Sequence, residues 1–223
     1  MKIFRKDMFI SAFIIAAAIF LIGFLIGDQL DRFRIDDATL LLNKGDLDSQ
    51  SFETEREFFN LFSDEKCDVD RSRINKLGRQ LAEMGQTLTD YDAKKLTHKD
   101  SYNFLKRKYF ISELKFYNMK KSLDDECGID SPVILFFYNV EDNENSLRQG
   151  YVLDSLKRKV DDLIILSFDK DFDESVVKTL VEFYSIKEAP TLIINYDRKI
   201  DGFVSEGELF GIIDEENNWL LFV

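Results

Sequence analysis

The sequence predicts an α/β domain of order β-α-β-α-β-β-α, preceded by a transmembrane helix and an α-helical region. Three observations carry this. Residues 8–27 hold no charged side chain, and a helix of that length, rising about 1.5 Å per residue, crosses a hydrocarbon core of roughly 30 Å. Residues 28–130 hold no proline and repeat apolar side chains at helical spacing. After Pro132, three short apolar runs alternate with segments of helical period, the pattern of buried strands joined by helical connections. The chain thus divides into an N-terminus (1–7), a membrane span (8–27), a helical spacer (28–130) and an α/β domain (131–223).

Composition bounds the function. With 45% hydrophobic and 32% charged residues, the chain is too apolar to stay disordered and too charged for a polytopic membrane protein. Its net charge of −12 argues against general nucleic-acid binding, which needs clustered Lys and Arg. One histidine (His98) and two cysteines exclude a His-rich or four-cysteine metal site within one chain. No motif calls for a cofactor.

Lys2, Arg5 and Lys6 precede the apolar stretch, against Asp7. The positive-inside rule then predicts a cytoplasmic N-terminus and a translocated remainder. A cleaved signal peptide would have a shorter apolar core and a small-x-small site; Gly23-Phe-Leu-Ile-Gly27 is a poor one, which favours an uncleaved anchor. Gly23 and Gly27 form a GxxxG pair that admits a homodimer through the span, although glycine is common in such helices.

In the spacer the spacing predicts helices over 30–42, 51–63, 70–88 and 99–124, with Asp70 and Thr97 as N-caps and Gly45, Gly85 and Gly128 as punctuation. The apolar stripes, such as Phe58, Phe59 and Phe62 or Ile74, Leu77, Leu81, Met84 and Leu88, read as the buried seams of a helical hairpin. Lys106-Arg107-Lys108 reads as a solvated basic face. Cys67 and Cys127 lie at helix ends among acidic residues. A structural disulfide, two unpaired buried thiols and a redox pair all remain open for them, the acidic neighbours favouring the first.

In the last domain, strands are predicted at 133–138, 163–168, 191–194 and 200–204, and helices at 146–160, from the acidic loop 169–173 to 184, and at 206–213. Helical connections between the first three strands imply parallel pairing, and the short turn at 195–198 an antiparallel hairpin. Asp169, Asp171, Asp173 and Glu174 lack the glycine and final glutamate of a calcium-binding loop and read as a solvated turn. The apolar tail 219–223 either packs back on the core or serves as a docking segment.

This element order, with Pro190 directly before the third strand, resembles the thioredoxin-like fold over about residues 131–214. The resemblance implies a cis-proline loop at Ala189-Pro190-Thr191 and a final hairpin and helix beginning at Gly202-Phe203-Val204-Ser205. It also places a Cys-x-x-Cys pair at the start of the first helix, where this chain has Asn143 and Ser146. Neither supports thiol–disulfide exchange, and Glu141, Asp142 and Glu144 would oppose a thiolate. Ser146 has no adjacent histidine to activate it and reads as a helix N-cap. The expected function is therefore a membrane-anchored, redox-inactive module on the extracytoplasmic side, binding an unidentified protein or peptide beside Pro190. The alternative is a tethered thiol–disulfide oxidoreductase that uses Cys67 and Cys127 or a partner's dithiol.

Overall fold

The computed structural model describes residues 3–62, 67–93, 99–128, 131–140 and 144–217. Asn143, Thr97, His98 and the tail 219–223 lie outside them. The N-terminal helix α1 runs from Ile3 to Phe62 without a break. Its stretch Phe9–Gly27 is long and apolar enough to cross a membrane, and none of it is buried against the rest of the chain.

Two further helices, α2 (Cys67–Ala93) and α3 (Lys99–Cys127), pack with α1 as an up-down-up bundle. The four helices expected in the spacer are therefore one continuous α1, then α2 and α3. Gly45 and Gly85 lie inside helices, and the reason is close approach. A Cβ at Gly45 would sit 2.1 Å from Met84 Cε, and one at Gly85 2.6 Å from the Tyr109 hydroxyl. At Gly85 glycine lets α2 approach the stiff ring of Tyr109, while at Gly45 the atom met is the flexible end of Met84, which can turn aside. Gly128 does mark a helix end, with φ of +60° and its N–H donating to the Asp124 carbonyl at 2.9 Å.

The domain that follows contains β1 (Val133–Tyr138), α4 (Glu144–Lys157), β2 (Ile164–Asp169), α5 (Ser175–Phe183), β3 (Thr191–Ile194), β4 (Arg198–Asp201) and α6 (Glu206–Asn217). The sheet order is β2-β1-β3-β4. β2 runs parallel to β1 (Val133 opposite Ile164), β3 antiparallel to β1 (Phe137 opposite Thr191), and β4 antiparallel to β3. The expectation of three parallel strands is corrected: β3 begins at the end of the sheet where β1 and β2 finish. α5 has nine residues, about 13 Å of helix, and the loop behind it, turned by Ser185 at φ +51°, brings the chain back to that same end. Helical period reveals a connection between strands but not the end at which it re-enters. Strand β4 also starts earlier than expected, because Asn195 and Tyr196 both take positive φ (+46° and +79°) and close a tight primed turn.

Every second residue of β1 faces the same side. Val133, Leu135 and Phe137 join Leu166, Phe168, Val177 and Leu180 under α3 and α5. Ile134 and Phe136 join Leu153, Leu156, Leu209 and Ile213 under α4 and α6. The first of these cores continues without a gap into Leu77, Leu81 and Met84 of the bundle. Helix α3 is the link, with one side against α2 and another against the sheet. The strand order, the helices on both faces and the cis Ala189–Pro190 bond before β3 make this a thioredoxin-like domain.

Candidate functional site

The ends of β1 and β2, the first turn of α4 and the start of β3 meet at one end of the sheet. Tyr138 lies opposite Asp169 and Phe137 opposite Thr191. Ligand sites of α/β sheets form at such strand ends.

Ser146 is here but is not the cap expected of it. Helix α4 starts at Glu144, so Ser146 is its third residue; it is buried, and its Oγ accepts the Asn139 N–H at 3.3 Å. It ties the end of β1 to α4. One turn on, Gln149 is fully buried on the same face, and its Oε1 accepts the Val204 N–H at 2.8 Å while its Nε2 has no hydrogen-bond partner. The sequence offered no signal for Gln149, since a lone glutamine in a helix reads as surface.

The Ala189–Pro190 peptide is cis. The Pro190 carbonyl accepts the Gly202 N–H at 2.8 Å. The Thr191 hydroxyl is buried and lies 2.8 Å from the Glu188 carbonyl and 2.9 Å from an Asp201 oxygen, two acceptors for one proton. Thr191 itself pairs on both sides, with Phe137 and Asp201. The backbone of β3 is thus enclosed by β1 and β4 on its two sides. Around this end, Val140, Leu147 and Tyr151 are exposed, the last two one turn apart on α4. The Arg148 guanidinium lies 4.3 Å from the centre of the Phe203 ring.

A second polar cluster occupies the β2 side. Lys106 is 6% exposed, and its Nζ lies 2.7 Å from Asp169 Oδ2. The rings of Tyr102, Phe110, Tyr138 and Phe172 surround that ammonium at 4.9–5.9 Å. Arg107 pairs with the buried Glu174 at 2.5 Å, and Lys108 donates to Asn43 at 2.5 Å. The basic run is therefore not one solvated face: its three cations turn to the sheet, to α5 and to α1. Asp169 and Glu174 likewise leave the solvated loop expected of them, because each neutralises a cation of α3.

Glu113 serves the open edge of the sheet. The N–H groups of Ile164 and Lys170 point to β1, so the Ser167 N–H points outward, and Glu113 Oε1 accepts it at 2.9 Å. Glu113 is fully buried and its Oε2 has no partner. Burial pushes this carboxyl up to about 8, against the pull of its hydrogen bonds with Ser167 and Tyr109. Burial also pushes the Tyr109 hydroxyl up.

The cysteines are elsewhere. Cys67 opens α2, Cys127 closes α3, and the two form a disulfide with Cα atoms 5.5 Å apart. Cys127 precedes β1 and Ser146 follows it, so the length of β1, six residues or about 20 Å, separates disulfide from site. Of the two expected dithiol positions, only Ser146 is described.

No protein-family model matches the sequence, and no curated protein matches it. Solved structures do. Thioredoxin-2, described as a component of malaria parasite protein secretion machinery, is 22% identical over 38% of this chain and 82% of its own, with a TM-score of 0.34. Chloroplastic thioredoxin z is 15% identical over 44% of this chain and 89% of its own, with a TM-score of 0.36. The germline-specific thioredoxin Deadhead of Drosophila melanogaster is 21% identical over 46% of this chain and 92% of its own, with a TM-score of 0.34.

Proposed function

We propose that this chain is a membrane-anchored binding module whose thioredoxin-like domain holds protein or peptide segments without redox chemistry. The observation that carries the reading is Ser146. The resemblance expects a thiol at this position; the hydroxyl found here is buried and already accepts the Asn139 N–H. Both cysteines are bonded to each other at the far end of β1. The exposed Val140 past the end of β1 and Leu147 and Tyr151 along α4 offer apolar surface for an extended segment in this reading. Helix Phe9–Gly27 supplies the anchor, and the basic residues before it favour a domain on the extracytoplasmic side, where a disulfide persists.

The test is binding of the detergent-solubilised full chain to an array of extended peptides, with Leu147→Glu and Tyr151→Ala beside the wild type. Both positions are exposed, so both variants should fold. Binding that falls at least tenfold in both supports the site; binding equal to wild type in both removes it. The oxidoreductase alternative is tested on the same samples by reduction of a disulfide substrate. A turnover lost in Cys67→Ser would revive it.

A further inference from the structure

We infer that two copies of this chain pair side by side in the membrane, along the outer face formed by α1 and α3. On α1, Leu40 and Leu47 are 68% and 66% exposed; on α3, Phe104 and Ile111 are 55% and 42% exposed. Each pair is separated by seven residues, two turns of helix, so each forms a stripe. The stripes share one face. Asn43 lies between Leu40 and Leu47, Lys108 lies between Phe104 and Ile111, and Lys108 Nζ donates to Asn43 Oδ1 at 2.5 Å. A second link, Lys115 to Asp46 and Glu53 at 3.9 and 3.5 Å, fixes α1 and α3 as running in the same direction.

The occupant follows from α1. The helix is unbroken from the apolar stretch into the bundle, so Leu40 stands thirteen residues beyond Gly27, about 20 Å along the axis. The pairing rests on the membrane-anchor reading above. If the span is in a bilayer, every copy holds this face at the same height and in the same orientation. A two-fold axis along the membrane normal then brings like stripe against like stripe, as an isologous interface requires. The sequence extends the seven-residue spacing towards the span, with Phe33 before Leu40 and Ile26 and Ile19 before that. A seven-residue repeat is the seam of a parallel coiled coil; its alternate positions hold Gly23 and Leu30 towards the span and the charged Asp37 and Lys44 beyond it, so beyond the span Phe33, Leu40 and Leu47 alone carry the repeat.

Single-cysteine crosslinking of the full chain in native membranes tests this. Both native cysteines are already bonded, so an introduced thiol is the one reporter. Under mild oxidation, Leu40→Cys and Leu47→Cys should give a covalent dimer in at least fivefold higher yield than Ala82→Cys, an exposed position on α2. Equal yields at all three overturn the pairing, as does a crosslink at Gly23→Cys alone, which would place contact only in the span. Resistance of the wild type to carbonate extraction is scored in parallel, so a chain washed from the membrane identifies a failed anchor rather than a failed face. As a second arm, Leu40→Glu/Leu47→Glu should reduce the dimer at least tenfold in detergent while helix content and the Cys67–Cys127 bond are kept. An undiminished dimer would overturn the assignment of this surface.

Discussion

Lys106 and Asp169 are a charged pair in an aromatic setting, and their energetics follow from what each becomes alone. Removing one partner of a buried pair leaves an uncompensated charge and costs about 3–5 kcal/mol, whereas apolar replacement of both is often close to neutral. Lys106→Met is therefore expected to lower unfolding stability by about that much, and Lys106→Met/Asp169→Leu to recover most of it, as read from urea titration of the chain in micelles. A double variant no better than the single would mean that the ammonium's packing against Phe172 and its neighbours, not charge balance, dominates. Glu113 behaves differently because its partner is a backbone N–H rather than a cation. Its folded pKa of about 8 lies above the ordinary value of 4.5, so folding takes up a proton between these values. Stability contributed by the site is then greatest at low pH and falls as pH rises through that window, by at most about 1.4 kcal/mol per unit. Glu113→Gln keeps an acceptor for Ser167 and does not titrate. The stability of Glu113→Gln minus that of wild type should rise from pH 5 to pH 8; a difference that stays flat would show Glu113 ionised throughout.

At the scale of elements, α2 and α3 are held by three things: apolar seams, glycine contacts and a disulfide. The bond closes a span of 60 residues, for which chain entropy contributes about 4 kcal/mol. Gly85 shows how two effects compete. Alanine there is a better helix former by about 1 kcal/mol, but its Cβ would meet the Tyr109 hydroxyl at 2.6 Å, and overpacking of a tight contact costs about 1–3 kcal/mol. Gly85→Ala should thus lower the melting temperature rather than raise it, and Tyr109→Phe should relieve part of the loss; a stabilised Gly85→Ala would show that α2 and α3 can part without cost. The same residue explains what could be read from the chain. Strands and helices of the α/β domain were legible because apolar runs and helical stripes report burial directly, and Pro190 marked the loop that turns out to be cis. Gly45 and Gly85 misled because a glycine that ends a helix and one that lets two helices touch look alike in sequence. Lys106 misled for a related reason: a basic triplet looks solvated until the fold puts Asp169 and Glu174 within reach. The cis bond at Pro190 was legible through the resemblance of the element order, whereas Gln149 and Glu113 were silent because their partners lie 54 or more residues away.

The whole molecule has a layout that its sequence segments conceal. The helical region and the α/β domain differ in charge and in period, yet a single core runs from Leu77, Leu81 and Met84 through Phe110 and Phe116 to Leu135 and Phe168. Helix α3 belongs to both halves: Phe116 lies against Gly78 of α2, while Phe110 meets Phe168 of β2 with ring centres 5.5 Å apart. Further along α3, Tyr117 shares a hydroxyl contact of 2.6 Å with Tyr184 and packs tilted against Tyr196, with ring centres 5.1 Å apart. The Tyr196 hydroxyl also donates to Asp124. A helix fastened on two sides cannot unfold from one without exposing apolar surface on the other. The two halves should therefore unfold as one cooperative unit, and a lesion in the bundle should be felt in the sheet. Leu81→Ala tests this, since it removes a buried side chain of α2 that lies remote from every strand in sequence, and truncations of this kind cost about 2–5 kcal/mol. Hydrogen exchange read residue by residue should show the slowest amides of β1 and β3 losing as much protection as those of α2. If α2 alone responds, the bundle is a separate unit and α3 only rests on the sheet. If both respond equally, bundle and sheet share one unfolding equilibrium through α3.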